Sequence, residues 1–255
     1  MPTKREHAMR LVEASDASAL CAHCRFAANL RVIGECDPHE VCVMAHSGRR
    51  IDRFFRQHPS AAESYLHDSF WERRAIAARY APLAAIRVLA RDSDEVVRRV
   101  VASRLPPEEV GLLIDDGDRE VRIAVAHRLP VERLSRLAHD SDYMVRVVVA
   151  RRLSHGKLNC LADDPEREVR KAVASRLPPF ALSRLVDDVE AEVRRIVAER
   201  ALPHDAQRLL GDTDWLVRLA AVRRAPLESI GICLDDPELD VRQVAWERLQ
   251  RGDTE

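Results

Sequence analysis

Four cysteines, Cys21, Cys24, Cys36 and Cys42, fall within 22 residues in the spacing C-x2-C-x11-C-x5-C. Thiolates are soft metal ligands, and C-x-x-C lets two of them reach one centre from a tight turn. Cys36 and Cys42 complete a set of four sulfurs. That set suits either a tetrahedral Zn²⁺ or an iron–sulfur cluster, and the spacing leaves both open. It matches neither common ferredoxin run and lacks the second C-x-x-C of many zinc ribbons. His23, His39 and His46 lie nearby, but four sulfurs already fill the requirement, so they are read as solvent-facing or outside the ligand set.

Other chemistry is sparse. The chain has only eight glycines and shows no phosphate-binding loop, nucleophile elbow or H-E-x-x-H motif, so no catalytic residue is expected and the protein is not read as an enzyme. Its 41 basic residues nearly cancel its 42 acidic ones. Nucleic-acid binders normally carry a basic excess, which counts against a nucleic-acid partner without removing a local basic stripe. No segment approaches the roughly 18 consecutive apolar residues of a membrane span. The first twenty residues lack the apolar stretch of a secretory signal. A cytoplasmic location follows as the expectation, where six cysteines are metal-bound or reduced rather than bridged.

The elements that must position these cysteines are set by a repeat. The string D-x-(D/E)-x-x-V-R recurs every 24 residues, opening at Asp92, Asp116, Asp140, Asp164, Asp188, Asp212 and Asp236. Six full units run from 92 to 235, a degenerate one begins at Asp68 and a truncated one at Asp236. In the unit from Asp116, Val121, Ala124, Val125 and Leu129 fall at helical spacing. Acids ahead of them suit a helix N-terminus, and the Pro that usually follows ends the helix. Leu134, Leu137 and Ala138 mark a second piece too short for a long helix, so a short α- or 3₁₀-helix is expected. One such unit cannot bury its own stripes. Stacked units can, which predicts an all-α solenoid.

Two arginine rows recur in the units from Asp92 on. The first contains Arg98, Arg122 and Arg146, the second Arg104, Arg128 and Arg152, each continuing at the same period. A phosphate-binding ladder is one reading. The simpler reading is structural. First-row arginines would pair with the acid four residues earlier, as Arg122 with Asp118. Second-row arginines would bind carbonyls near the helix C-terminus. Outward positions that vary between units are better candidates for a protein partner: Tyr143 with Val147, and Trp215 with Leu219. Cys233 takes a slot that is Leu elsewhere and reads as core, whereas Cys160 reads as a semi-exposed free thiol.

The helical V-R-x-x-V-A-x-R-L-P core and its period resemble the leucine-rich repeat variant family. They depart from ordinary leucine-rich repeats, whose L-x-x-L-x-L strand is absent. The four-cysteine segment ahead of the repeats resembles the form of that family, from a nitrogen-fixing bacterium, that carries an N-terminal [4Fe-4S] domain. The resemblance implies a right-handed superhelix of alternating α- and 3₁₀-helices. It also implies a [4Fe-4S] cluster rather than Zn, held by Cys21, Cys24, Cys36 and Cys42. Two domains are expected: a cysteine-rich cluster and capping domain over 1–67, and the solenoid over 68–255. Phe54 and Phe55 should cover the open apolar end of the stack. The functional expectation is an iron–sulfur protein that transfers electrons or senses redox state while the solenoid docks a protein partner. The alternatives are a scaffold with a purely structural cluster or Zn, and a nucleic-acid-binding solenoid.

Overall fold

The computed structural model describes residues 19–252, and the chain divides into two compact units, Met1–Arg128 and Leu129–Glu255. In both, α-helices alternate with short 3₁₀ pieces. The first unit carries Gly48–Gln57, Trp71–Tyr80, Glu95–Arg104 and Arg119–Arg128, with 3₁₀ segments such as Pro59–Tyr65 and Val110–Leu113 between them. The second carries Tyr143–Arg152, Arg167–Ala174, Ala191–Arg200, Trp215–Val222 and Leu239–Gly252, with His155–Leu161 and Pro179–Leu185 among its 3₁₀ segments. At Pro203–Gln207 the short piece is α-helical instead. The β contact among the described residues is the isolated bridge between Asp37 and Val41.

The core follows the repeat. Val121, Val125, Leu129 and Leu134 are fully buried, and Leu137 and Ala138 nearly so. Ala124 is only half-buried; its neighbour Ala126 is fully buried instead. The equivalent alanines Ala102, Ala150, Ala174 and Ala198 are also fully buried. A small side chain there lets the next layer pack close to the helix backbone.

The helix starts are capped as the acids suggest, with a division of labour. The opening Asp92 accepts the Asp94 N–H at 2.9 Å, forming a turn. Asp94 then caps the helix by accepting from Val96 and Val97 at 3.0 and 3.3 Å. Asp142 and Asp214 cap in the same way, whereas Glu166 and Glu190 at the same position make no side-chain cap.

The first arginine row is structural, but its partner is not the acid four residues earlier. Arg98 grips Asp116 with Nε and Nη2 at 2.8 and 3.0 Å, eighteen residues ahead, and turns Nη1 to the Asp92 and Ser93 carbonyls. Arg146–Asp164, Arg170–Asp188, Arg194–Asp212 and Arg218–Asp236 repeat this fork-on-carboxylate contact. The degenerate unit joins the row through Arg74, which holds Asp92 at 2.8 Å. The opening aspartate of each such unit is thus the anchor for the unit before it. Second-row arginines reach backwards, to carbonyls of the preceding helix rather than of their own. Arg104 binds the Ala78 and Ala81 oxygens at 2.6 Å, and Arg248 those of Val222 and Ala225 at 2.7 Å.

Removing one partner of a buried ion pair leaves the other charge uncompensated. Arg146 and Asp164 are 9% and 8% exposed, so Arg146→Ala should cost about 3–5 kcal/mol in denaturant unfolding. The pairs also fix a pH dependence. Burial pushes the carboxyls of Asp92, Asp116 and Asp212 up, but their arginines outweigh it and hold them below the ordinary value; at Asp236 the Arg218 hydrogen bonds are the largest influence. A carboxyl depressed on folding contributes stability above its unfolded pKa and loses it as pH falls. The unfolding midpoint should therefore hold from neutrality down to about pH 4 and drop below it; a midpoint insensitive to acid would contradict this.

Candidate metal centre

Each cysteine is placed by a local turn. Cys21 lies in a helical stretch that ends at Ala22, and the Cys24 N–H donates to its carbonyl at 3.2 Å, which brings the C-x-x-C pair together. The chain then runs through turns to Gly34, where φ is +77°. That left-handed residue lets Glu35 N–H reach back to the Leu30 carbonyl at 2.9 Å and sends the chain towards Cys36. Asp37 and Val41 then exchange both backbone hydrogen bonds, at 3.0 and 2.7 Å. Asp37 steadies the turn by accepting the His39 N–H at 2.7 Å. The residues flanking such a pair face each other at the closer, non-hydrogen-bonded spacing. Those residues are Cys36 and Cys42, which is the physical content of C-x5-C.

Cys36 and Cys42 are buried, at 6% and 2% exposure, and Cys21 and Cys24 are half-buried. Burial pushes the Cys36 thiol up to about 12, and Cys42, Cys24 and Cys21 push in the same direction, so all four groups share one electrostatic neighbourhood. Burial also raises the Cys42 thiol, and the backbone N–H groups of Met44 and Ala45 oppose that shift. Four thiols so placed resist ionising together unless a cationic centre supplies the compensating charge, as iron does. Among the described residues no three His, Cys, Asp or Glu side chains close on a single point as they would around one bound ion. The donor chemistry and mutual reach of the thiols fit the four-sulfur requirement of a cluster. His23, His39 and His46 are exposed, and His46 rests against Phe70 with ring centroids 5.3 Å apart.

Aromatic packing ties this segment to the first repeat. Phe26, two residues after Cys24, stands 5.2 Å from Phe54, and Phe55 lies 5.6 Å from Tyr65 and 6.3 Å from Tyr80. Phe54 and Phe55 are fully buried. Arg73, which the sequence did not single out, is 5% exposed. It donates to the Val43 and Met44 carbonyls at 2.7 and 3.3 Å and to both oxygens of Asp68 at 2.7 and 2.8 Å. The signal that could have found it lies in the repeat frame: the next units place Val97, Val121 and Val145 where the first places Arg73.

The candidate partner residues do not form two exposed pairs. Tyr143 and Trp215 are each 37% exposed and Leu219 is half-buried, but Val147 is buried at 3%. Its outward angle on a helical wheel does not keep Val147 exposed. Phe180 and Trp246, at 72% and 58%, are the more exposed aromatics of that unit. Cys233 is core at 1% and Cys160 is exposed.

Residues 17–64, which contain all four clustered cysteines, match the family model described as LRV protein FeS4 cluster. Residues 119–142 and 167–190 match the leucine rich repeat variant model. A solved structure described as a leucine-rich repeat variant with a novel repetitive protein structural motif is 52% identical, with a TM-score of 0.85, covering 90% of this chain and 98% of that one. An uncharacterized 27.7 kDa protein in the nifB 3′ region of Rhodobacter capsulatus is 38% identical over 86 residues, which is 34% of this chain and 35% of that protein. The match thus spans about a third of the length of that curated relative.

Metal ligation orders a segment too small to bury a core alone, because binding energy becomes folding energy. Loss of the cluster should therefore loosen the neighbouring repeat first. Hydrogen exchange on holo and apo protein should show protection falling most between Asp68 and Asp92 and least beyond Asp188. Uniform loss, or loss confined to the cysteine segment, would overturn the coupling.

Proposed function

Because this chain belongs to the leucine-rich repeat variant family and carries its iron–sulfur domain, we propose that Cys21, Cys24, Cys36 and Cys42 ligate the [4Fe-4S] cluster. The cluster passes single electrons or senses redox state, and the repeats dock a protein partner. The observation that carries this reading is the graded burial of the four thiols. Cys36 and Cys42 lie inside while Cys21 and Cys24 reach solvent, so one edge of the donor set is open to an electron-transfer partner. The exposed tip formed by Val32 and Ile33, at 78% and 66%, stands in the loop between the two cysteine pairs.

A phosphate ladder is disfavoured because both arginine rows are engaged with the array's own aspartates and carbonyls. No reaction is assigned. The recurrent charged residues serve as caps and inter-repeat contacts. Among the described residues no helix is long and apolar enough to cross a membrane. Six cysteines with no disulfide among the described residues suit the reducing cytoplasm.

The alternative is a cluster that only braces the fold, and the aromatic packing of Phe26 on Phe54 speaks for that role. Anaerobically isolated protein should be brown, with about four iron and four acid-labile sulfide per chain. Cys36→Ser and Cys42→Ser should lose the chromophore, and Cys160→Ser should keep it. A reversible one-electron couple separates the redox role from the bracing role. Stoichiometric zinc without sulfide would defeat both.

A further inference from the structure

The first-row arginines of the second compact unit are engaged on both sides. Arg218 donates from Nε and Nη2 to the Asp236 carboxylate at 2.7 and 3.0 Å, and from Nη1 to the Asp212 and Thr213 carbonyls at 2.8 and 3.3 Å. Arg242 is the next member of the row. Its Nη1 donates to the equivalent carbonyls, those of Asp236 and Pro237. The guanidinium is therefore held as in the other repeats. Among the described residues, however, no carboxylate meets its Nε and Nη2. A half-buried fork with its donors held in place and no acceptor is preorganised for a carboxylate.

A second observation lies one turn further along the same helix. One column of the repeat runs through Ala102, Ala126, Ala150, Ala174, Ala198 and Val222, all fully buried. The column continues at Trp246, a far larger side chain, and this indole is 58% exposed. Leu239, one turn before Arg242, is 65% exposed. Leu249 is half-buried, where its counterparts Leu105, Leu129, Leu153 and Leu177 are enclosed. Residues three and four apart share a helix face, so Leu239, Arg242 and Trp246 lie side by side along Leu239–Gly252. An indole does not fit the space that an alanine occupies, so a further layer of the same kind cannot pack here. An unpaired fork beside an exposed indole and leucine has the makeup of a binding hot spot.

We propose that this face of the last helix is the docking site for a partner-protein segment that lays one carboxylate in the fork of Arg242 and an apolar side chain against Trp246 and Leu239. This deepens the reading of the repeats as a docking array and rests on it. The array itself shows the acceptor. Nε and Nη2 of Arg146, Arg170, Arg194 and Arg218 each grip an aspartate at 2.7 to 3.0 Å. The surrounding charge narrows the occupant further. Asp235, Glu238 and Asp240 are exposed at the start of this helix. They repel a polyanion such as nucleic acid, whereas a single aspartate or glutamate in a neutral or basic stretch is complementary to the face.

The test uses the anaerobically isolated full-length holoprotein and a displayed library of short random peptides. Selected peptides should share an aspartate or glutamate close to an aromatic or aliphatic residue. In calorimetric titrations of those peptides, Arg242→Gln should weaken binding about tenfold or more. Exchanging the peptide's own acid for its amide should do the same, and the two changes together should weaken binding no further. Arg242→Lys should not restore it, because an ammonium lacks the fork. Trp246→Ala should also cost about tenfold. That variant carries the alanine of the other repeats, so it keeps the fold and decides alone if Arg242→Gln unfolds the last repeat. Selected peptides that bind both variants as well as wild type dock elsewhere on the array, which overturns this site and leaves the docking reading standing. Peptides selected without a carboxylate overturn it as well. If no peptide is enriched, the docking reading fails with it. A wild-type dimer in sedimentation that Trp246→Ala dissociates would place a second copy of the chain on this face and overturn the proposal.

Discussion

The fold depends on one contact, an arginine fork closing on the aspartate that opens the next repeat. Arg98 on Asp116 and Arg194 on Asp212 hold the same geometry, with the third nitrogen on the carbonyl of their own opening aspartate. Each such arginine therefore touches the first residue of its own 24-residue unit and the first residue of the next. Buried ion pairs rarely add much net stability over apolar packing of the same volume. What this one supplies is register. The valine and alanine layers are nearly interchangeable from repeat to repeat and would tolerate slippage. A bidentate contact to a single carboxylate does not. The same aspartate also accepts the backbone N–H two residues on, as Asp116 does from Asp118, so the carboxylate that receives the fork is itself fixed by the turn before the helix.

The second arginine row answers a different problem. Every α-helix ends with carbonyls that have no partner inside it. The proline that follows most of these helices stops them sharply and leaves no left-handed glycine to fold the chain back onto those carbonyls. An arginine from the following repeat fills the gap, as Arg176 does on Ala150 and Leu153. Within each compact unit, consecutive repeats are thus joined twice, once forwards at the helix start and once backwards at the helix end.

The sequence carried whatever is local. The period, the Val and Leu stripes, the aspartate caps and the short 3₁₀ pieces depend on neighbours within one turn, and they are found where composition and spacing put them. Contacts between units were harder to read. Eighteen residues separate Arg98 from Asp116, and nothing in the spacing prefers that pairing over the acid four residues away. Val147 shows the same limit: a helical wheel gives it an outward angle, but it is buried. The four cysteines were legible as a ligand set because thiol chemistry narrows the choices. The facing of Cys36 and Cys42 across a bridge was not, since a two-bond pair over five residues leaves no compositional trace. Arg73 sat in plain view as a charged residue in a valine column, but the unit's degeneracy made it look like decay of the repeat.

That degeneracy is better understood as the place where two kinds of stability meet. The cysteine segment is too short to bury a core alone and leans on the Phe26–Phe54–Phe55 packing and on the repeat it precedes. The repeats derive order from one another. A plain valine at position 73 would complete the first layer of the array but leave the Val43 and Met44 carbonyls, beside a buried thiol, without their donors. The arginine meets the Asp68 carboxylate and both carbonyls at once. A buried charge is tolerable only when every one of its strong donors is matched, and that condition holds here only while the cysteine loop is folded. The first repeat and the cysteine segment are therefore conditional on each other.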